Sequence, residues 1–153
     1  MAIKQKTTVK MALQGSGETH ARMVVQARGV QGIIDEPEAR GGTDLGLTPT
    51  ETIMSALMGC TNVISSRIAH KMGITLEAMN ISLSADFNRL GTMLEEELDQ
   101  PFSNIVMDIS VATDATPAQL AALQSDLAKF CPIAKVLRGS GVSITENWTT
   151  RPL

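Results

Sequence analysis

Tyrosine is absent from the chain, and one tryptophan (Trp148) and three phenylalanines (Phe87, Phe102, Phe130) are its only aromatic side chains. That scarcity argues against the stacking platforms on which single-stranded nucleic acid is bound. Basic clustering is missing too: the net charge is −3 with no run of Lys and Arg, so nothing stands ready to displace the counterions of a polyanion. No apolar run approaches the ~18–20 residues of a membrane span, and the start, Met1 to Lys6, lacks the apolar stretch of a signal peptide. A cytoplasmic protein with no nucleic-acid and no membrane partner is expected. Cysteine is limited to Cys60 and Cys131, too few for a disulfide framework or a zinc finger. His20 and His70 bring neither a third metal ligand nor the spacing of a triad, so no metal is expected and both read as surface or helix-end histidines.

What is present describes an ordinary globular chain of 153 residues, 43% hydrophobic and 19% charged, without a repeat or linker, so one domain over 1–153 is expected. Nine methionines supply much of the packing volume in place of aromatics. Residues 7–13 and 19–27 alternate loosely around Gln14 to Glu18, which predicts a hairpin. Val30 to Ile34 forms a third strand, followed by a glycine-rich loop from Glu38 to Leu47. Thr48-Pro49-Thr50-Glu51 is a capping box with proline at the first helical position, opening a long helix that Gly73 ends. On it Ile53, Leu57, Cys60, Ile64 and Ile68 recur at helical spacing, so Cys60 is expected on the buried stripe. Leu76 to Phe87 and Asn104 to Ala112 alternate as strands, with the acidic run Glu95 to Asp99 as a solvated loop or short helix between them. Thr116-Pro117-Ala118-Gln119 repeats the cap signature and opens a helix to Phe130. Cys131-Pro132 then starts a short helix over Ile133 to Leu137, and Val142 to Trp148 closes as a strand. The order predicts an α+β fold with mostly antiparallel sheet. A long helix with Met and Leu on more than one side calls for a second subunit to cover it.

In a reducing compartment two such cysteines are either inert buried thiols or a redox couple. As the cap of a helix beginning at Pro132, Cys131 would have its sulfur facing free N–H groups, which favours thiolate. A reactive thiolate in mid-helix, where Cys60 lies, gains little from the helix dipole and needs a cation from elsewhere.

Several runs resemble a known family. Gly41-Gly42-Thr43-Asp44, Thr48-Pro49-Thr50-Glu51 and Ala56-Leu57-Met58-Gly59-Cys60-Thr61, with Lys71-Met72-Gly73 at the helix end, are similar to the first-cysteine region of the OsmC/Ohr family, the osmotically inducible and organic hydroperoxide resistance proteins. Phe130-Cys131-Pro132-Ile133-Ala134-Lys135 resembles that family's second-cysteine motif. The resemblance spans essentially the whole chain. It implies an OsmC-like fold packed around the long helix, an intertwined homodimer, and reduction of organic hydroperoxides with no bound cofactor. Cys60 would be the peroxidatic thiolate and Cys131 the resolving thiol that closes a disulfide with it. An external dithiol, a small thiol or a lipoyl group on a carrier protein, would restore the pair.

The family pattern assigns the cation to Arg40 in the glycine-rich loop, with Arg22 and Arg28 as alternatives on or after the second strand. Glu51 would hold the arginine by a charge-assisted bond, although a capping box needs a carboxylate at that place for structural reasons alone. Here the chain departs from the peroxidase pattern, which has Glu directly after the proline where Thr50 stands. The Pro-x-Glu form resembles the broader OsmC-like branch. Nine residues separate Glu51 from Cys60, ~13–14 Å along a helix and on opposite sides, so a shared site requires a long arginine or a partner chain. Met54, Leu57, Met58 and Phe130 are expected to line an apolar substrate pocket. Two other readings stay open: a non-enzymatic protein holding a small apolar or carrier-bound ligand at a dimer seam, and a thiol enzyme acting on a different electrophile.

Overall fold

The computed structural model describes residues 7–153. Met1 to Lys6, on which the expectation about a signal peptide rests, lie outside the described residues. The chain divides into two compact units, one ending at Ile53 and the other spanning Met54–Leu153.

The first unit is a three-stranded antiparallel sheet in sequence order, β1 (Gln14–Gly17), β2 (Met23–Ala27) and β3 (Val30–Ile34). The hairpin differs from expectation. Residues 7–13 form no strand, and Gln14–Gly17, read as its turn, is itself the strand that pairs with β2. The turn lies further on, where the Thr19 hydroxyl accepts from the Ala21 and Arg22 amides at 3.2 and 2.9 Å. Glycine is accepted in β1 because it faces Met23: a Cβ on Gly15 would stand 3.0 Å from the Met23 sulfur. Between β2 and β3, Arg28 and Gly29 have φ of 53° and 80°, the pair of positive angles that a two-residue hairpin requires. The chain then passes through a short 3-10 turn (Glu38–Arg40), and Ile34 bridges to Leu47 in parallel.

Helix α1 (Pro49–Met72) begins with the expected capping box. The Glu51 amide donates to the Thr48 hydroxyl at 3.2 Å, and the Thr48 amide donates to the Glu51 carboxylate at 2.9 Å. At its far end Gly73, with φ of 68°, donates to the His70 carbonyl and Ile74 donates to that of Ala69. This double bond pattern is a Schellman stop.

The second unit continues from Met54 along α1. It adds β4 (Leu76–Phe87), β5 (Phe102–Thr113), α2 (Pro117–Phe130), α3 (Pro132–Gly139) and β6 (Ser143–Arg151). Its sheet has the order β4-β5-β6, antiparallel across the first pair and parallel across the second. The parallel pair follows from the α2-α3 crossover, which returns the chain to the same end of the sheet. Thr116 and Gln119 form the second capping box, reciprocal as expected. Glu95 to Asp99 is an exposed loop.

One core gathers Leu57 and Ile68 of α1, Ile105, Met107 and Ile109 of β5, and Leu123 and Leu127 of α2. The buried row of α1 runs Met54, Leu57, Thr61, Ser65, Ile68 and Ala69. It is thus turned away from the expected stripe, leaving Cys60 and Ile64 half-buried and Ile53 exposed. Apolarity alone misplaced the stripe because two hydroxyl residues lie at its centre. Ser65 satisfies itself within the helix by donating to the Thr61 carbonyl at 2.6 Å. The fold is the expected α+β class. Among the described residues no helix is long and apolar enough to cross a membrane.

Candidate active site

Cys60 lies in mid-α1, half-buried, and Cys131 occupies the single residue between α2 and α3, almost fully buried. Cys131 ends one helix and begins the next. Its amide donates to the Leu127 carbonyl at 3.0 Å, while its sulfur accepts from the Ala134 amide at 3.5 Å, and Pro132 takes the first helical position, where no N–H is needed. The two free thiols meet, with Sγ to Sγ at 2.9 Å. A disulfide measures ~2.05 Å, so closing one needs about an ångström of approach.

The cap geometry of Cys131 is as expected, but its ionisation runs the other way. Burial first, and next the thiol hydrogen bond with Cys60, push its pKa up to about 11, and the Ala134 amide only partly offsets this. Cys131 is therefore a protonated thiol whose S–H points at the Cys60 sulfur.

A groove of about 400 Å³ opens one helical turn beyond Cys60, lined on α1 by Ile64, Arg67, Ile68, Lys71 and Met72, and on α2 by Asp126 and Phe130. Of the four side chains expected to line a pocket, Phe130 lies on this groove. Met54 and Leu57 are instead packed in the core, and Met58 is half-buried.

In the first unit Arg40 donates from Nε to the Glu36 carboxylate at 2.6 Å. The carboxylate bonded to Arg40 is thus Glu36, four residues back across the 3-10 turn, rather than Glu51. Glu51 is held below the usual carboxylate range first by the Thr48 amide and then by the Thr48 hydroxyl. Burial opposes these bonds, and Arg40 acts on Glu51 only through its charge. Arg22 bridges Glu18 at 3.0 Å and the Thr43 hydroxyl at 2.8 Å, and Arg28 stands exposed at the β2-β3 turn.

Sequence reading passed over Asp35. It is fully buried and accepts from the Glu36 amide at 2.8 Å, from the Thr43 and Leu45 amides at 3.2 Å each, and from the Thr43 hydroxyl. These donors hold its pKa below the ordinary range, the Thr43 hydroxyl most, against the opposing effect of burial. The available signal was an acidic residue placed directly after the apolar end of β3, at the entrance to a glycine-rich loop.

The family model for OsmC-like proteins matches residues 41–147, which takes in both cysteine motifs. The chain belongs to the OsmC-like protein family. An OsmC-like protein from Mycoplasma pneumoniae has the same fold, with a TM-score of 0.77 at 16% identity over 93% of this chain and 97% of that one. An organic hydroperoxide resistance protein OsmC from Legionella pneumophila gives 0.68 at 14% identity, covering 94% and 99%. The organic hydroperoxide resistance protein OhrB of Bacillus subtilis gives 0.59 at 20% identity, covering 92% and 98%. No curated protein matches this OsmC-like chain.

Proposed function

We propose that the protein is a thiol peroxidase that reduces organic hydroperoxides. The observation that carries this reading is the pair of free sulfurs 2.9 Å apart, one half-buried and the other buried, protonated and aimed at it. The Cys60 thiolate attacks the terminal oxygen of the hydroperoxide and the O–O bond breaks. The organic half leaves as an alcohol after taking a proton, and Cys60 becomes a sulfenic acid. Cys131 then attacks that sulfur, a disulfide forms, and the sulfenic oxygen departs as water with the Cys131 proton. An external dithiol, small or a lipoyl group on a carrier protein, supplies the two electrons that reopen the disulfide. Arg40, with Arg22 and Arg28 as the alternatives, is the cation assigned to the Cys60 thiolate, and Glu51 belongs to the same arrangement. Membership of the OsmC-like family, and relatives named for organic hydroperoxide resistance, support this choice of chemistry.

Apolar lining favours alkyl over hydrogen peroxide, because buried hydrocarbon contributes ~25 cal/mol per Å². The protein acts as a homodimer, a reading supported by the exposed Met23 and Val30 on one face of the first sheet. Stoichiometric cumene hydroperoxide should remove both thiols and yield a Cys60 to Cys131 disulfide in peptide mass spectra, faster than hydrogen peroxide does. Thiols that stay reduced would favour the second reading, an OsmC-like binding protein that uses the groove beside Phe130 for an apolar or carrier-bound ligand.

A further inference from the structure

We infer that Asp35 is a positioning residue: its buried carboxylate folds the loop from Glu36 to Leu47 so that Glu36 and Thr43 hold the guanidinium groups of Arg40 and Arg22. The inference rests on the reading above, in which an arginine of this unit stabilises the Cys60 thiolate.

Asp35 is fully buried, and all four donors that reach it are backbone amides or a hydroxyl, none of them a cation. A buried carboxylate without an ion pair is costly unless its oxygens are satisfied, and here each is. Oδ1 takes the Glu36 amide, and Oδ2 takes both Thr43 donors and the Leu45 amide. The strand also closes on the loop, since the Asp35 amide donates to the Leu47 carbonyl at 3.0 Å.

Each arginine hangs from one of these donors. A threonine hydroxyl has a single proton, and at Thr43 it is given to Asp35, so the oxygen is left with lone pairs only. Those lone pairs accept the Arg22 Nη1 bond at 2.8 Å. Glu36 is fixed through its amide on Asp35 and through its carbonyl, which accepts the Asp44 amide at 3.2 Å. Its side chain then takes Arg40 Nε at 2.6 Å. Glycine keeps the winding this tight. A Cβ on Gly42 would stand 1.7 Å from the Glu36 carbonyl oxygen, and one on Gly46 would stand 2.3 Å from that of Ile33. One anion therefore sets the places of two cations without touching either.

The test separates positioning from mere loop stability by the pH dependence of iodoacetamide alkylation at Cys60, followed by peptide mass without any hydroperoxide present. Asp35→Asn should move the midpoint of that profile upward and slow disulfide formation with cumene hydroperoxide by about tenfold or more, the scale expected of a misplaced charged group. In an Arg22→Ala/Arg40→Ala background the same substitution should change neither, because the groups it acts through are gone. Thr43→Val should reproduce the Arg22 part of the effect, and Thr43→Ser should restore it. This pair serves if Asp35→Asn does not fold. An unmoved alkylation profile in Asp35→Asn or Thr43→Val, or an equal effect in the double-arginine background, overturns the inference. A native chain that alkylates normally but never forms the disulfide would instead overturn the peroxidase reading.

Discussion

A helix N-terminus offers unpaired N–H groups that ordinarily favour a thiolate. At Cys131 the Ala134 amide reaches the sulfur at 3.5 Å and the Ile133 amide adds a smaller pull, while burial and the neighbouring Cys60 act against ionisation and leave the thiol at about 11. On the proposed peroxidase reading this divides the labour between the cysteines: Cys131, holding its proton at neutral pH, would be the resolving thiol, and the half-buried Cys60 the sulfur that meets a peroxide. A consequence for stability follows. An unfolded cysteine ionises near ~8.5, below the folded value, so the folded state binds the extra proton between the two. The contribution of Cys131 is complete below about pH 8.5 and is lost as pH rises towards about 11. Thermal melts of the reduced protein should fall across that window, and Cys131→Ser, whose hydroxyl does not titrate there, should flatten the fall. Leu57 behaves differently from its expected role as a pocket wall. It is fully buried in the core, so Leu57→Ala should appear in urea unfolding as a loss of about 2–5 kcal/mol.

At the scale of elements, the grammar of helix ends transferred directly from sequence to structure. Both Thr-Pro boxes cap their helices, Gly73 stops α1, and Pro132 starts α3. These signals are local, written in four or five residues, which is why sequence shows them. The α2 box is exposed, so Thr116→Ala should cost about 1 kcal/mol in chemical denaturation, with the Cys60 and Cys131 thiols still able to pair. Patterns that depend on what lies opposite were read less well. Apolar spacing placed Cys60 on the buried row of α1, whereas the row passes through Thr61 and Ser65, whose hydroxyls apolarity does not register. The glycines of β1 read as a turn, because the Met23 sulfur that needs the space of Gly15 belongs to another strand. Asp35 escaped notice for a related reason: four donors satisfy it, and three come from residues eight or ten positions away.

At the scale of the molecule, the meeting of Cys60 with Cys131 across 71 positions is a product of packing that α1, α2 and α3 achieve together. Motif resemblance pointed to both residues, but no periodicity in the chain could have placed them side by side. The same limit applies to assembly. Met23, Val30 and Ile33 on the first sheet are 44%, 65% and 41% exposed, and Ile53 and Val63 on α1 are 38% and 45% exposed. Met23 and Val30 share one face of the first sheet, with Ile33 on the other, and an exposed apolar face of this kind is what a second copy of the chain would cover, since homodimers close such surfaces by two-fold symmetry. Sedimentation of the native protein should therefore give twice the chain mass. Charge introduced on that face of the sheet, as in Met23→Glu/Val30→Lys, should yield a monomer with unchanged far-ultraviolet circular dichroism, since neither side chain belongs to the core of the second unit. If each site draws a residue from the partner, that monomer should lose most hydroperoxide-driven disulfide formation. If every residue of the site is supplied by one chain, it should retain the native rate, and the shared-site arrangement would have to be abandoned.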